Sequence, residues 1–483
     1  VVDVGTSGIR TAIVAADRSV THVRHRVVLP QSPAPGVVEV DASALAGGVL
    51  DLARETLAAG GPVAGVGIAN QRATAIVWDR HSGAPVAPGI GWQDLRTVGT
   101  CLALQADGFR ISPNATATKL AAILDAVDPT RTAADRLCAG TIDTWVAWVL
   151  SEGTVHVTDA SNALVTGMVD IGSGVQWDRR ALGVLRIPEA VLPRIVDSIG
   201  TVGTASALDG SPPICGIAGD QQASMVGQGC TVPGLAKATF GTGGMLDLRT
   251  PGPPATPIRG AAGTFPVVAW QAGGEPVWAV EAMMLTAGSC LEWLRDDLGI
   301  ITSAAESAEV AAGCEDTGDV WFVPALLGLG APVWDFGARG ALLGLTRGSG
   351  RPEIVRAVLR GIAQRGADLL EAAESDSGCH VAALRVDGGM SANPVFLQEL
   401  ADAIGRPVEV SPELEATTLG AGILAGLARG TWASPEAVAT DWRPLRTLLP
   451  TLDPTGVAAR RERWLDARSR AERTIPELSG ISF

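Results

Sequence analysis

The sequence predicts an α/β protein built as two related lobes around a cleft, and three observations carry that expectation. Its 483 residues exceed what one hydrophobic core usually serves, so the chain should divide into large units. Hydrophobic residues make up 47% and charged residues only 18%, with 59 glycines as punctuation, which describes a folded α/β chain rather than a disordered or fibrous one. Each half repeats one plan, β-hairpins with small-residue turns followed by strand–helix units, and no short solenoid period runs through it. The expected units are 1–230 and 231–483.

The first half opens on an apolar strand carrying Asp3, a turn at Gly5-Thr6-Ser7-Gly8, and a second strand from Thr11 to Ala15. The turn lacks the GxxxxGK[ST] pattern of a Walker loop. It still offers the Thr6 and Ser7 hydroxyls, backbone N–H groups and nearby Arg10, while Asp3 at the strand end can hold a metal through water. A plain hairpin fits the same residues. Residues 44–57 have helical apolar spacing, and Val63 to Ile68 reads as a buried strand running into Ala69-Asn70-Gln71-Arg72. Gly91-Trp92-Gln93-Asp94-Leu95-Arg96 mixes an aromatic face with amide, carboxylate and guanidinium groups. That suits either a site for a hydroxylated small molecule or a core Trp followed by a helix capped by Asp94. Residues 117–127 and 144–150 read as helices, 156–162 as a polar loop with no catalytic role for His156, and 187–199 as a short helix and loop.

At the junction of the halves, GIAGDQQASMVGQG places Asp220 just past a short apolar run and Gly219, where a strand ends and a carboxylate can reach a cleft as a general base. Downstream, TFGTGG packs small and hydroxyl residues between two β-rich runs, so its backbone N–H groups and Thr242 can face a phosphate. An ordinary hairpin with a capping Asp is the competing reading. In the second half a Pro-rich surface loop spans residues 252–263, a hairpin 265–280, and a helix is expected to begin near Met283, with Ala287-Gly288-Ser289 as a small-residue patch followed by Glu292. The stretch 321–350 reads as a Gly/Pro-rich loop too long to be idle, either functional or disordered, and its many apolar residues argue for order. Residues 351–373 form the clearest amphipathic helix. A strand at 384–386 then runs into Asp387-Gly388-Gly389 and a helix starting near Pro394, an arrangement that lets a nucleoside lie against backbone. Residues 408–410 read as a strand, 417–428 as a glycine-rich helix packed tightly, and the charged tail after Arg460 as a solvated outer helix.

Bulk properties exclude several function classes. A formal charge of −14 with no basic face argues against a nucleic-acid partner. Seven scattered cysteines without a CxxC pair read as reduced thiols of a cytoplasmic protein, not as a zinc site. The opening apolar run meets Asp3 and Arg10 too soon for a signal peptide, and no uncharged run approaches membrane-spanning length.

These pieces coincide with a known family. Through DVGTSGIR, GIANQRATAIVWD, GWQDLRT, GTIDTWVAW, HVTDASNA, GIAGDQQASMVGQ, ATFGTGG, FVPALLGLGAPVWD, ARGALLGLTRG and LRVDGGMSANPVFLQELADAIGRPVEV, the sequence resembles the FGGY carbohydrate kinases, and most of all their glycerol kinase branch, over nearly its whole length. The resemblance implies a two-lobed, actin-like (ribonuclease H-like) ATPase fold. It also implies ATP and Mg²⁺ in the cleft and transfer of the γ-phosphoryl group to a hydroxyl of a small polyol or sugar. Carried over residue by residue, Asp220 is the catalytic base, Gln221, Arg72 and Trp92 line the acceptor pocket, and Asp3 helps hold Mg²⁺. Thr6, Ser7, Gly8 and Arg10 form the first phosphate grip, Gly241 and Thr242 the second, and Gly288, Gly389 and Asn393 surround the adenosine. Homodimers or homotetramers are common in the family.

Several positions depart from the glycerol kinase pattern. Ala73 replaces a glutamate after the pocket arginine, and Pro113-Asn114-Ala115-Thr116 replaces a run with a pocket tyrosine, which points to an acceptor larger than glycerol, such as a tetritol, pentitol or ketose. Glu292 stands where the family has an adenine-side glutamine. Residues 202–213 lack the loop through which some glycerol kinases bind fructose bisphosphate, so no such inhibition is expected. Two other readings remain: a ketose kinase of the xylulokinase or ribulokinase type, and a catalytically inactive nucleotide-binding actin-like protein.

Overall fold

Both halves of the chain start with a hairpin whose first strand becomes the middle of a sheet. The computed structural model describes residues 1–172, 174–256 and 258–481; Pro257 of the expected Pro-rich loop and the last two residues of the tail lie outside them. The first sheet has six strands: β1 (Val2–Gly5), β2 (Gly8–Val14), β3 (Val20–Val27), β4 (Val66–Asn70), β5 (Ile199–Thr204) and β6 (Pro213–Gly219), in the order β5–β6–β4–β1–β2–β3. The second has seven: β7 (Ala236–Phe240), β8 (Gly244–Arg249), β9 (Phe265–Ala272), β10 (Glu275–Met284), β11 (Leu384–Asp387), β12 (Val408–Val410) and β13 (Arg446–Leu448), in the order β9–β10–β8–β7–β11–β12–β13. In each sheet the opening strand pairs antiparallel with its hairpin partner on one side and parallel with a later strand on the other, β1 between β2 and β4, β7 between β8 and β11. The hairpin turns therefore emerge at the same edge as the ends of the parallel strands, where a ligand meets an open α/β sheet.

Parallel pairing requires a crossover, and helices supply it. In the first lobe α1 (Ala42–Gly60) lies between β3 and β4, capped by Asp41, whose side chain accepts from Ala44 N–H. Helix α2 (Asp220–Gly227) follows β6 directly. In the second lobe α3 (Arg351–Ser377) leads into β11; Glu353 accepts the Gly350 N–H at 2.9 Å at its start, and Gly378 at φ +67° ends it. Its apolar face, including Val355, Leu359, Ile362 and Leu370, shares one core with Phe240, Val386 and Leu400. Helix α4 (Ala416–Ala428) belongs to the second half by sequence yet lies on the first sheet: a Cβ on Gly216 would sit 2.5 Å from the Ala425 nitrogen, and one on Gly67 would strike the Ala421 carbonyl. It crosses α2 where Gly227 and Gly420 face the Ala416 and Ala223 carbonyls, a contact no side chain allows. A single cut at residue 230 thus leaves one helix on the far side.

Three expectations change. Residues 156–162 are not a loop: Val157–Asp159 is a strand and Ala160–Val165 a helix, because buried Asp159 caps that helix through the Ser161 and Asn162 N–H groups and so satisfies polar backbone inside the lobe. No helix begins at Met283; β10 runs to Met284, and the helix is the short Ser289–Glu292, after Ala287 and Gly288 have turned against the β7–β8 hairpin. The tail helix α5 (Pro454–Ala471) is not merely solvated. Trp464 is fully buried and donates to Asp368 at 3.1 Å, and Arg461 and Arg468 converge on the same carboxylate. One buried acid on α3, already paired with Arg365, collects three donors from α5, so the charges of α5 dock it. The expected short helix and loop at 187–199 contains a 3₁₀ turn, Glu189–Val191, and a short strand, Arg194–Val196. The 321–350 stretch is ordered around the paired strands Trp321–Val323 and Ala341–Leu343.

Candidate active site

Asp220 opens α2 immediately after β6, as the apolar run before it predicts. Gly219 must be glycine here: its N–H donates to Ser161 Oγ at 3.0 Å, and a Cβ would lie 2.7 Å from the Arg72 Cγ and Cδ that cross the strand end. Ser161 Oγ in turn donates to Asp159 at 3.0 Å, so the buried polar network of residues 159–162 sets the position of the Asp220 backbone. The Asp220 carboxylate accepts the Gln221 N–H at 2.8 Å and lies 3.4 Å from Arg72 Nε, while its side chain remains 32% exposed. Burial lifts its pKa above the ordinary carboxylate range against the pull of Arg72, the Gln221 N–H and Lys237, with Asp247 adding to the rise. A half-open carboxylate of raised basicity is suited to accept a proton.

Arg72 spans the two lobes. Its Nη2 pairs with Glu281 of β10 at 2.8 Å and lies 3.8 Å from the Met245 sulfur, while its buried Nη1 has no hydrogen-bond partner among the described residues. A buried donor without a partner beside the candidate base is a place for a ligand oxygen. Ala73, next in the chain, is buried at φ +65°, so no long side chain projects from that strained position. Trp92 is half-buried; its Nε1 donates to Thr6 Oγ1 at 3.1 Å and its N–H to Thr74 at 3.2 Å. Asn114 is exposed and donates to the Trp92 carbonyl at 3.0 Å, as does buried Lys119 at 3.0 Å. Asp94 caps no helix; fully buried, it accepts the Val38 N–H and the Arg96 guanidinium.

On the phosphate side, the β1–β2 turn presents Ser7 exposed, Thr6 half-buried and Gly8 buried, the last because a Cβ would collide with the Arg26 carbonyl. The β7–β8 turn exposes Thr242, and a Cβ added to Gly241 or Gly389 would meet nothing within 4 Å. Gly288 donates to the Gly241 carbonyl at 2.8 Å, and Gly388, at φ +85°, lies against the Phe240 carbonyl. Three small-residue turns thus meet at one end of the second sheet, where backbone N–H groups can approach a phosphate without side-chain obstruction. Glu292 is exposed one turn beyond Gly288. Asn393 is occupied otherwise: its Oδ1 caps the helix Pro394–Ile404 and its Nδ2 donates to Ser307 at 2.9 Å, so it positions the segment after Gly389 rather than offering a free side chain.

Asp3, buried on β1, accepts from Thr418 of α4 at 3.1 Å and lies 3.8 Å from Arg10, which itself pairs with Glu415 at 2.6 Å. Burial lifts its pKa to about 6 against Arg10 and Thr418, with Asp220 and Glu415 adding to the rise. Among the described residues no group of three or more His, Cys, Asp and Glu forms a full metal cage. Mg²⁺ beside a nucleotide needs only one or two carboxylates, with phosphate oxygens and waters completing its shell. A desolvated carboxylate repelled by its neighbour Asp220 fits that partial donor set.

The second lobe's charges are not legible as a site from the sequence. Glu281, Asp247, Lys237, Arg385 and Glu409 stand opposite one another on consecutive strands β10, β8, β7, β11 and β12. Each is nearly alone in an apolar strand, which was the available signal; only register turns them into a row. Two surface hollows, of about 860 Å³ beside Trp177 and Arg194 and about 490 Å³ beside Arg110 and Trp334, lie away from this cluster.

Comparison with known proteins agrees with this architecture. The model of the FGGY family of carbohydrate kinases, N-terminal domain, matches residues 1–227, and that of the C-terminal domain matches residues 236–429. A glycerol kinase of Aromatoleum aromaticum is 40% identical over 97% of this chain and 97% of its own, and one of Trichlorobacter lovleyi is 41% identical over 97% and 98%. The crystal structure of Plasmodium falciparum glycerol kinase with ADP superposes with a TM-score of 0.90 at 28% identity, covering 97% of each chain. A xylulose kinase from Lactobacillus acidophilus reaches 0.87 at 20% identity, a likeness of fold alone. The fold is the expected two-lobed, actin-like one, and the chain belongs to the FGGY family of carbohydrate kinases as a glycerol kinase-like phosphotransferase with an alcohol acceptor.

Proposed function

We propose that the protein transfers the γ-phosphoryl group of ATP to a hydroxyl of a small polyol, with residues 1–230 binding the acceptor and supplying the base and residues 231–483 binding the nucleotide. The observation that carries this reading is Asp220, a part-exposed carboxylate of raised basicity held beside Arg72 Nη1, which has no hydrogen-bond partner among the described residues. Arg72 and Gln221 orient the acceptor, and the face of Trp92 packs against its carbon chain. As the acceptor oxygen attacks phosphorus, Asp220 takes its proton; the bond from phosphorus to the bridging oxygen breaks and ADP leaves. Phosphoryl transfer depends mainly on positioning and charge neutralisation, so one base is enough. Thr6, Ser7, Gly241 and Thr242 grip the phosphates, with Arg10 held in place by Glu415. Asp3 would hold Mg²⁺, which neutralises phosphate charge when bound. The lobes meet over the acceptor and exclude water that otherwise takes the phosphoryl group.

Ala73 bears on which acceptor is used. Its methyl group carries no polar atom, so the pocket offers one carboxylate fewer than the glycerol kinase pattern, and we propose a tetritol or pentitol as a better substrate than glycerol. Seven unpaired cysteines, five of them buried, support a reducing, cytoplasmic compartment, and among the described residues no helix is long and apolar enough to cross a membrane. A homodimer or homotetramer belongs to the same proposal. The deciding experiment is ATP-dependent phosphorylation across a panel of glycerol, four- and five-carbon polyols and ketoses. Turnover on longer polyols above that on glycerol is expected; clear preference for glycerol removes the larger-acceptor reading, and preference for ketoses moves the enzyme to the xylulokinase type.

A further inference from the structure

Lys237 lies on β7 with no exposed side-chain surface, yet it is not spent inside its own sheet. Its Nζ is 2.9 Å from Asp247 on the neighbouring strand, donates to Thr239 at 3.1 Å, and donates at 2.5 Å to Oε1 of Gln221, which stands on α2 beside the base. An ammonium group has three donors and no acceptor, so it can face only the oxygen of a carboxamide. That removes the ambiguity of an amide's orientation. We propose that Lys237 is a positioning residue for acceptor binding, holding the Gln221 amide with Oε1 toward the second sheet so that Nε2–H is the end presented to an acceptor oxygen. The inference rests on Gln221 belonging to the acceptor pocket.

A consequence for coupling follows from where Lys237 sits. Three residues separate it from Gly241, so the strand that ends in the second phosphate turn also fixes an acceptor-binding side chain of the other lobe. Occupation of that turn and order of the Gln221 amide are then linked through one short strand. Asp220 is held in parallel, its carboxylate by the Gln221 N–H and its partner Arg72 by Glu281 of β10.

A double-mutant cycle tests this, with acceptor KM, kcat and ATP KM measured for wild type, K237M, Q221A and the pair, using the best polyol found in the substrate panel. K237M is expected to raise acceptor KM about 10-fold with ATP KM within about twofold, and to add almost nothing on top of Q221A. Effects of K237M that simply multiply those of Q221A overturn the proposal, as does an equal loss in both KM values. Where K237M alone does not fold because Asp247 is left unpaired, K237M/D247N takes its place in the cycle. Q221E decides the orientation without touching Lys237: it keeps an oxygen for the ammonium but loses the N–H, so acceptor binding should fall as far as in Q221A. Retained acceptor KM in Q221E overturns the assignment. Calorimetric titration of the acceptor with and without ADP adds a readout that a purely structural lysine does not move: ADP should tighten acceptor binding in wild type and not in K237M. Failure of wild type to phosphorylate any polyol counts against the proposed function instead, and the same titration run with glycerol then still reads the lysine's role.

Discussion

The two lobes share a plan and divide the labour. In each, a hairpin-forming strand sits between an antiparallel partner and a parallel one, and the working groups collect at the same sheet edge. The first lobe ends its strands in chemistry: Asp3 lies on β1, Gln71 and Arg72 follow β4, and Asp220 follows β6. The second turns its strands over in glycine, at Gly241, Gly388 and Gly389, and directs its charges at the other lobe: Lys237 and Glu281 reach across to Gln221 and Arg72, and Asp387 at the end of β11 accepts from Ser224 and Gln228. The difference teaches that an acceptor site drawn from the first lobe is completed by groups from the second, so neither half carries it alone.

The comparison breaks most sharply at Asp220. Asp220→Asn removes the proton acceptor without changing shape, and kcat for polyol phosphorylation should fall about 10³-fold while ATP KM stays nearly constant; a variant retaining a tenth of wild-type turnover assigns the base elsewhere. Next is the inter-lobe pair. Glu281→Ala removes one of the two carboxylates paired with the buried Arg72 guanidinium and leaves it to Asp220, and urea denaturation should show a loss of about 2 kcal/mol, with acceptor KM rising in step. A change below about 0.5 kcal/mol makes this pair no more than a surface contact. Restoring the family glutamate comes third: Ala73→Glu is expected to improve kcat/KM for glycerol relative to the longer polyols about 10-fold, and an unchanged ratio removes Ala73 as the determinant. Smaller still, Asn393→Ala should cost about 1 kcal/mol of stability through the lost helix cap, with ATP KM rising only a few-fold; loss of nucleotide binding altogether gives Asn393 a direct role after all.

Lys119 supplies a pH test of the first lobe. Burial lowers its pKa from 10.5 to about 7 against the attraction of Asp94, so the native state binds fewer protons than the unfolded chain between those values. Its contribution is therefore fully present above about 10.5 and lost as pH falls through about 7, and stability should rise with pH across that window. Lys119→Met flattens the rise; a wild-type melting curve independent of pH between 7 and 9 contradicts the assignment.

Local pattern foretold a good deal. The two small-residue turns, Asp220 at the mouth of an apolar strand, and the helix that runs from Arg351 to Ser377 all follow from short-range periodicity and turn chemistry. It failed where satisfaction is long-range. Asp159 and Asn162 look like loop residues until Ser198 and Asn70, 39 and 92 positions away, complete their hydrogen bonds, and the tail reads as solvated until Trp464 meets Asp368 across 96 positions.

By itself the order of residues determined the central strands of both sheets, which turns are made of glycine and hydroxyl groups, and where a lone carboxylate follows a buried run, because those outcomes depend on neighbours within a few positions. Only the tertiary structure decided that α4 returns to cover the first sheet, that a row of charges aligns across the second, and that Lys237 and Glu281 hold Gln221 and Arg72 of the opposite lobe. Strand register and helix crossing determine those meetings, and both are properties of packing between distant segments that no local window of sequence contains.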